Sequence, residues 1–279
     1  MTADPTAVPA PVGALPPLEQ PRRAFVAQVM GLPVSVHVRG PAARGADVEA
    51  AVEALFDALR ADDALFSTWK ADSEVSRIRR GQLLLTDADA RVRHVAALCE
   101  EATRRTGGSF DAWLPDADGV RVFDPTGLVK GWAVERATGA LVERLAELGP
   151  HDVLVSAGGD VLVHCERTDT PDWRIAIEDP RDRSRTLLTV PLRRGAVATS
   201  GTAARGNHIV DPATGAPPAG LLSATVIGPE LTWADVYATA AFVRGSGALA
   251  WLSGLAQHAG VVVTAEGAVR TTSAPQSTA

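Results

Sequence analysis

The sequence predicts a single α/β domain of the α+β kind, with a largely antiparallel sheet and flanking helices. Three observations predict it. Alternating or β-branched runs bounded by turn residues crowd the second half of the chain. Longer stretches carry alanine, leucine and valine at helical spacing. A chain of 279 residues at 46% apolar composition can bury one large core or two modest ones.

In chain order, residues 25–40 alternate as a strand pair, with Gly31 and Pro33 at the break. Residues 46–66 have helical spacing, with Asp47 near the first turn. A short helix carries Glu74, Val75 and Ile78, and Asp72 or Ser73 could cap it. Further helices are expected over 87–105 and 130–148. Strands follow at 152–165, 173–179, 186–192, 195–200 and 222–228, which puts the sheet mostly in the second half. Helical patterns return at 231–246 and 247–258, and residues 260–270 close as a hairpin. The expected boundaries are a disordered proline-rich tail over 1–22, a folded domain over 23–270 and a loose end over 271–279.

Several function classes drop out on composition. A net charge of −6 offers no basic field for nucleic acid or anionic lipid. No apolar run is long enough to insert in a membrane. Cys99 and Cys165 sit in a helical pattern and at a strand end, so they read as reduced core thiols. The first 21 residues hold six prolines and no basic residue, which does not match a secretory signal. The expectation is a cytoplasmic protein.

Four stretches could carry chemistry. In "FDPTGLVKGWAVERA" (123–137), Pro125 and Gly127 precede a helix, and Gly127 could take unusual backbone angles. Free N–H groups there, beside the Lys130 ammonium, would suit a phosphate oxygen; a plain loop-to-helix junction is the other reading. In "LTWADVYATAAF" (231–242), Asp235 and Thr239 are four apart and share a helix face. That pair could hold part of a Mg²⁺ shell, or Thr232 could cap the helix while Asp235 complements its dipole. "SAGGDV" (156–161) reads as a tight hairpin or as a backbone that a ligand approaches closely. Trp69, in "FSTWKADSEVSRI" (66–78), could stack on a flat ring.

Taken in order, these stretches carry a resemblance that none carries alone. Together with "MGLP", "TGGSFDAW", "AVATSG", "NHIVDPATG" and "ATVIGPELTWADVYATAAFV", the chain from about Met30 to Val263 resembles the FAD:protein FMN transferases, the ApbE-type flavin transferases. The resemblance implies a T-fold-like domain that takes FAD as substrate with Mg²⁺. It would move the FMN half onto a threonine or serine of a target flavoprotein and release AMP. It also implies Met30 and Trp69 at the flavin end, with Ser109, Phe110 and Asp111 lining the cofactor. Asp124 and Lys130 would contact the cofactor, and His208 and Ile209 would form its edge. The metal would be held by the Gly127 carbonyl, the Asp235 carboxylate and the Thr239 hydroxyl.

A protein hydroxyl is a weak nucleophile at neutral pH, so some group must accept its proton. His208 is the natural candidate, since no other histidine adjoins such a motif. An FAD pyrophosphatase and a non-catalytic FAD carrier are the competing activities. "DPATGA" (211–216) looks like part of the acceptor motif of such enzymes, but Pro217 stands where Ser or Thr is expected. Its residues read as turn chemistry.

Overall fold

The computed structural model describes residues 21–115, 118–202 and 209–272. The strands are β1 (Arg22–Val29), β2 (Leu32–Arg39), β3 (Trp113–Pro115), β4 (Arg121–Phe123), β5 (Asp152–Ala157) and β6 (Asp160–Cys165), then β7 (Trp173–Asp179), β8 (Asp182–Leu192), β9 (Arg194–Gly201), β10 (Leu221–Gly228), β11 (Ala259–Thr264) and β12 (Val269–Thr271). The helices are α1 (Ala46–Phe66), α2 (Glu74–Arg79), α3 (Ala90–Arg105), α4 (Thr126–Ala146), α5 (Leu231–Arg244) and α6 (Ala248–Leu252).

Eight strands form one sheet in the order β1-β2-β5-β6-β9-β10-β11-β12, and every neighbouring pair is antiparallel. Six of these strands lie in the second half of the chain, as expected, and the strand pair expected at 25–40 is added to them. The β1–β2 hairpin joins the sheet through β2–β5 pairing, because Val34, Val36 and Val38 need the same core as Val153 and Val155.

Alternation gives the sheet two differently covered faces. Leu162, Ala196, Ala198, Ala224 and Val226 face the helices and join the main core. Val161, Val163 and Val197 point the other way and pack with Ile175 of the β7–β8 hairpin. α5 lies directly on β9 and β10 and is buried almost all round, from Leu231 to Phe242. α4 packs over it and against α1. A helix with no polar stripe is stable only in such a sandwiched place.

Several expectations shift for local reasons. α1 keeps its expected bounds, and Ser73 is the residue that caps α2, its side chain accepting from Ser76 N. α4 starts at Thr126 rather than 130, because Pro125 serves as N-cap and its carbonyl accepts from Leu128 and Val129 N. The pattern at 247–258 yields only α6, ended by turns through Ser253 and Gly254. β8 is longer than expected, and β3 and β4 are too short to leave a periodic signal. Cys99 is buried in α3 and Cys165 half-buried, both unpaired. Burial, and then the Asp111 and Asp124 carboxylates, push the Cys99 thiol well up, as suits an inert core group.

One buried charge ties the helices together. Asp62 of α1 is fully buried, and its carboxylate accepts from Arg91 Nη1 at 3.0 Å and Arg136 Nη2 at 2.6 Å. Asp62→Ala leaves two guanidinium groups without their anion, though each is partly solvated and can rehydrate. The expected loss is about 2–3 kcal/mol, the low end for a broken buried pair. A urea denaturation midpoint that fails to move would contradict this role.

Candidate active site

The site grows from the start of α4. Asp124, just after β4, accepts from Thr126 N at 3.1 Å and Thr126 Oγ1 at 2.6 Å through one oxygen. Its other oxygen accepts from Arg79 Nη1 at 2.9 Å. The N–H groups of Thr126, Leu128 and Val129 therefore meet Asp124 and the Pro125 carbonyl. This corrects the expectation of several free donors there. Gly127 also lies within the first turn rather than before the helix. A Cβ on it would stand 3.0 Å from the Phe110 ring, so glycine serves a close approach and not an unusual angle.

One turn on, Lys130 faces α5. Its ammonium pairs with Asp160 of β6 and lies 3.2 Å from Asp235 Oδ2. Both carboxylates are buried, at 2% and 4% exposure. Two buried anions thus share one cation, and their locations are fixed differently. Asp160 follows the Gly158–Gly159 turn, whose φ values of 61° and 102° favour glycine, and its Oδ1 accepts from Thr199 N at 3.1 Å. Asp235 Oδ2 is buried with no hydrogen bond directed at it. Thr239, one turn along α5 from Asp235, exchanges a hydrogen bond with Ser200 Oγ at 3.0 Å.

The helices can meet this closely because of Gly131. A Cβ there would come within 3.1 Å of Leu231 O and Thr232 Cα, and 3.3 Å of Asp235 Cβ. The first turn of α5 is held from α4 as well, because Thr232 donates its N–H to Glu135 Oε2 at 3.0 Å, and its hydroxyl donates to the same oxygen. Thr232 is therefore not the helix cap; that position is Glu230.

Asp124, Gly127, Lys130, Ser200, Asp235 and Thr239 form one wall of a cleft of about 330 Å³. Ser109, Phe110 and Asp111 line it from the loop after α3, and Ile175, Ile177, Glu178 and Arg183 from the β7–β8 hairpin. Ile209, Val210 and Pro212 close another side. The cleft therefore has an apolar part and, beside it, a charged wall.

The ApbE family model matches residues 30–117 and 114–263. This chain belongs to the ApbE family. An FAD:protein FMN transferase of Vibrio cholerae serotype O1 is 28% identical over 177 residues, which is 60% of this chain. The chain spans about half (50%) of that relative's length. One from Salmonella typhimurium is 27% identical over 259 residues, covering 74% of this chain and 73% of the relative. The fold is that of the ApbE protein from Thermotoga maritima, with a TM-score of 0.78 at 22% identity, covering 90% of this chain and 97% of that one. The flavin transferase ApbE from Vibrio cholerae gives 0.74 at 20% identity, covering 91% and 97%.

Within this ApbE fold, Ser109, Phe110, Asp111, Asp124, Gly127, Lys130, Ile209, Asp235 and Thr239 all line the cleft. Met30 and Trp69 do not. Met30 occupies the β1–β2 turn at φ 56°, and Trp69 is 96% exposed after α1. His208 lies outside the described residues, although its neighbour Ile209 lines the cleft. Asp211 forms the expected turn, its Oδ1 accepting from Ala213 N at 2.9 Å.

Sequence reasoning missed Asp160, Thr199 and Ser200. Asp160 stood in a glycine-pair turn read for its backbone alone. Only the charge after those glycines, placed among apolar residues, could have drawn attention to it.

Proposed function

We propose that this chain is a Mg²⁺-dependent FAD:protein FMN transferase. It takes FAD, joins the FMN half to a threonine or serine hydroxyl of a target flavoprotein, and releases AMP. One observation carries the reading: the cleft sets the Lys130 ammonium between the buried carboxylates of Asp160 and Asp235. Membership of the ApbE family and the names of the curated relatives support the substrate.

The donor set suits Mg²⁺. Asp235 offers a buried oxygen that no hydrogen bond satisfies, and Thr239 offers a hydroxyl on the same helix face. Gly127, in the first turn of α4, has a second carbonyl lone pair beyond any helical bond. These are hard oxygen ligands, few enough to leave room for water and phosphate oxygens. When bound, Mg²⁺ would neutralise the pyrophosphate bridge.

The chain's own groups do the rest. Phe110, Ile175 and Ile177 give apolar surface to the cleft that receives FAD, and Lys130 attracts the pyrophosphate to the charged wall. The acceptor oxygen bonds to the phosphorus of the FMN half. The bond from that phosphorus to the bridging oxygen breaks, and AMP leaves with the electron pair. The hydroxyl proton passes to His208 in this reading, on the sequence argument above. Met30 and Trp69 retain the flavin end, with the exposed indole available to stack. A cytoplasmic setting belongs to the same reading, and two unpaired thiols are in keeping with it.

Incubation with FAD, Mg²⁺ and a target protein tests this. Flavin fluorescence on the target band of a denaturing gel is the expected result. Free FMN and AMP in place of that band would indicate a pyrophosphatase, and unchanged FAD a carrier. Failure to bind FAD at all would overturn the reading.

A further inference from the structure

We infer that Asp160 is a positioning residue that shares Lys130 with Asp235 and so loosens the lysine's hold on the cation site. The inference rests on the Mg²⁺ reading above and adds a residue to it.

Lys130 has two carboxylates within reach and divides its ammonium unequally between them. The contact with Asp160 is the closer of the two, and the hydrogen-bond geometry is made there and not at Asp235. Asp160 cannot follow the lysine elsewhere. Its backbone is fixed by the two-glycine turn and its Oδ1 by Thr199 N at 3.1 Å. Asp235 is fixed too, on a helix buried on nearly every side. The long lysine stem is the one adjustable part.

A cation at Asp235 and an ammonium at Asp235 compete for one oxygen. Without Asp160 the lysine's remaining buried partner is Asp235, and every cation that enters must first displace it. With Asp160 the ammonium is shared: it still lies 3.2 Å from Asp235 Oδ2, but an entering cation leaves it a second buried partner to fall back on. The ammonium stays near the same wall, where a pyrophosphate oxygen can still reach it. Asp160 therefore acts through Lys130 and need not touch the metal.

The test is a double-mutant cycle on Mn²⁺ binding, read without FAD by titration calorimetry and by the loss of the free-Mn²⁺ paramagnetic signal. Asp160→Asn keeps an acceptor for Thr199 N but loses the charge, and should weaken Mn²⁺ binding about tenfold or more, roughly one decade of dissociation constant. Lys130→Met alone should raise affinity only modestly, by about threefold or less, because the lysine is already shared with Asp160. In the Asp160→Asn background the same change should restore most of the lost affinity. A simple charge effect would instead make the two substitutions additive. Wild-type affinity in Asp160→Asn, additive effects, or a large gain from Lys130→Met alone would each overturn the inference while leaving the metal reading standing. Asp235→Asn separates the two ideas: unchanged Mn²⁺ binding there, or none in the wild type, would remove the metal reading and this inference with it.

Discussion

Asp235→Asn should abolish Mg²⁺-dependent release of AMP from FAD while leaving the fold intact. The substitution is nearly isosteric, and Asp235 is only 4% exposed, so packing around it hardly changes. What is lost is the one carboxylate that faces the proposed cation site without a directed hydrogen bond. A metal that neutralises phosphoryl charge is worth several kcal/mol of barrier, so a fall of about 10³-fold or more is expected. Stability should move little, because the wild-type site already holds two buried anions against one ammonium. Removing one leaves Lys130 and Asp160 as a simple pair. Turnover should be measured with and without added Mg²⁺, alongside a thermal melt. Activity within about tenfold of wild type, at saturating Mg²⁺, would place the metal elsewhere.

The parts of the site that were legible in the sequence share a property: their geometry is local. Asp235 and Thr239 lie four apart on one helix, so a single element sets their relation. Lys130 follows Gly127 by one turn for the same reason. The α1 boundaries were legible because a long amphipathic pattern ends where Ser67 leaves the helix. Pro125 misled, since a residue that cannot sit inside a helix is well suited to its cap. Asp160 was hidden because its partner is 30 residues away, and only the stacking of α4 against the β5–β6 turn joins them. The β7–β8 hairpin was legible as strands, but its place over one face of the sheet was not. Nothing in its alternation tells which of two sheet faces will receive Ile175.

Gly131→Val should damage both stability and activity, and the reason lies in backbone atoms. Valine in place of glycine ordinarily gains helix propensity of a few tenths of a kcal/mol. Here the new Cβ alone would press on Leu231 O and Thr232 Cα, each at 3.1 Å. Those atoms belong to the first turn of α5, which is buried and tied to Glu135 through Thr232. They have no rotamer to change, so α4 and α5 must move apart. Overpacking of this kind costs about 1–3 kcal/mol, more than propensity returns. The same displacement separates Lys130 and Gly127 from Asp235 and Thr239, and a shift of an ångström or less in such a constellation costs about 10²-fold in rate. Gly139→Ala supplies the control, because it lies on the same helix with nothing within 4 Å of the new Cβ. It should raise stability by about 0.5–1 kcal/mol and leave turnover unchanged. If Gly131→Val unfolds at the wild-type denaturant concentration and turns over at the wild-type rate, the close helix contact does not set the site. If the two glycines diverge as expected, the spacing of α4 from α5 is what converts two ordinary helix faces into one charged wall.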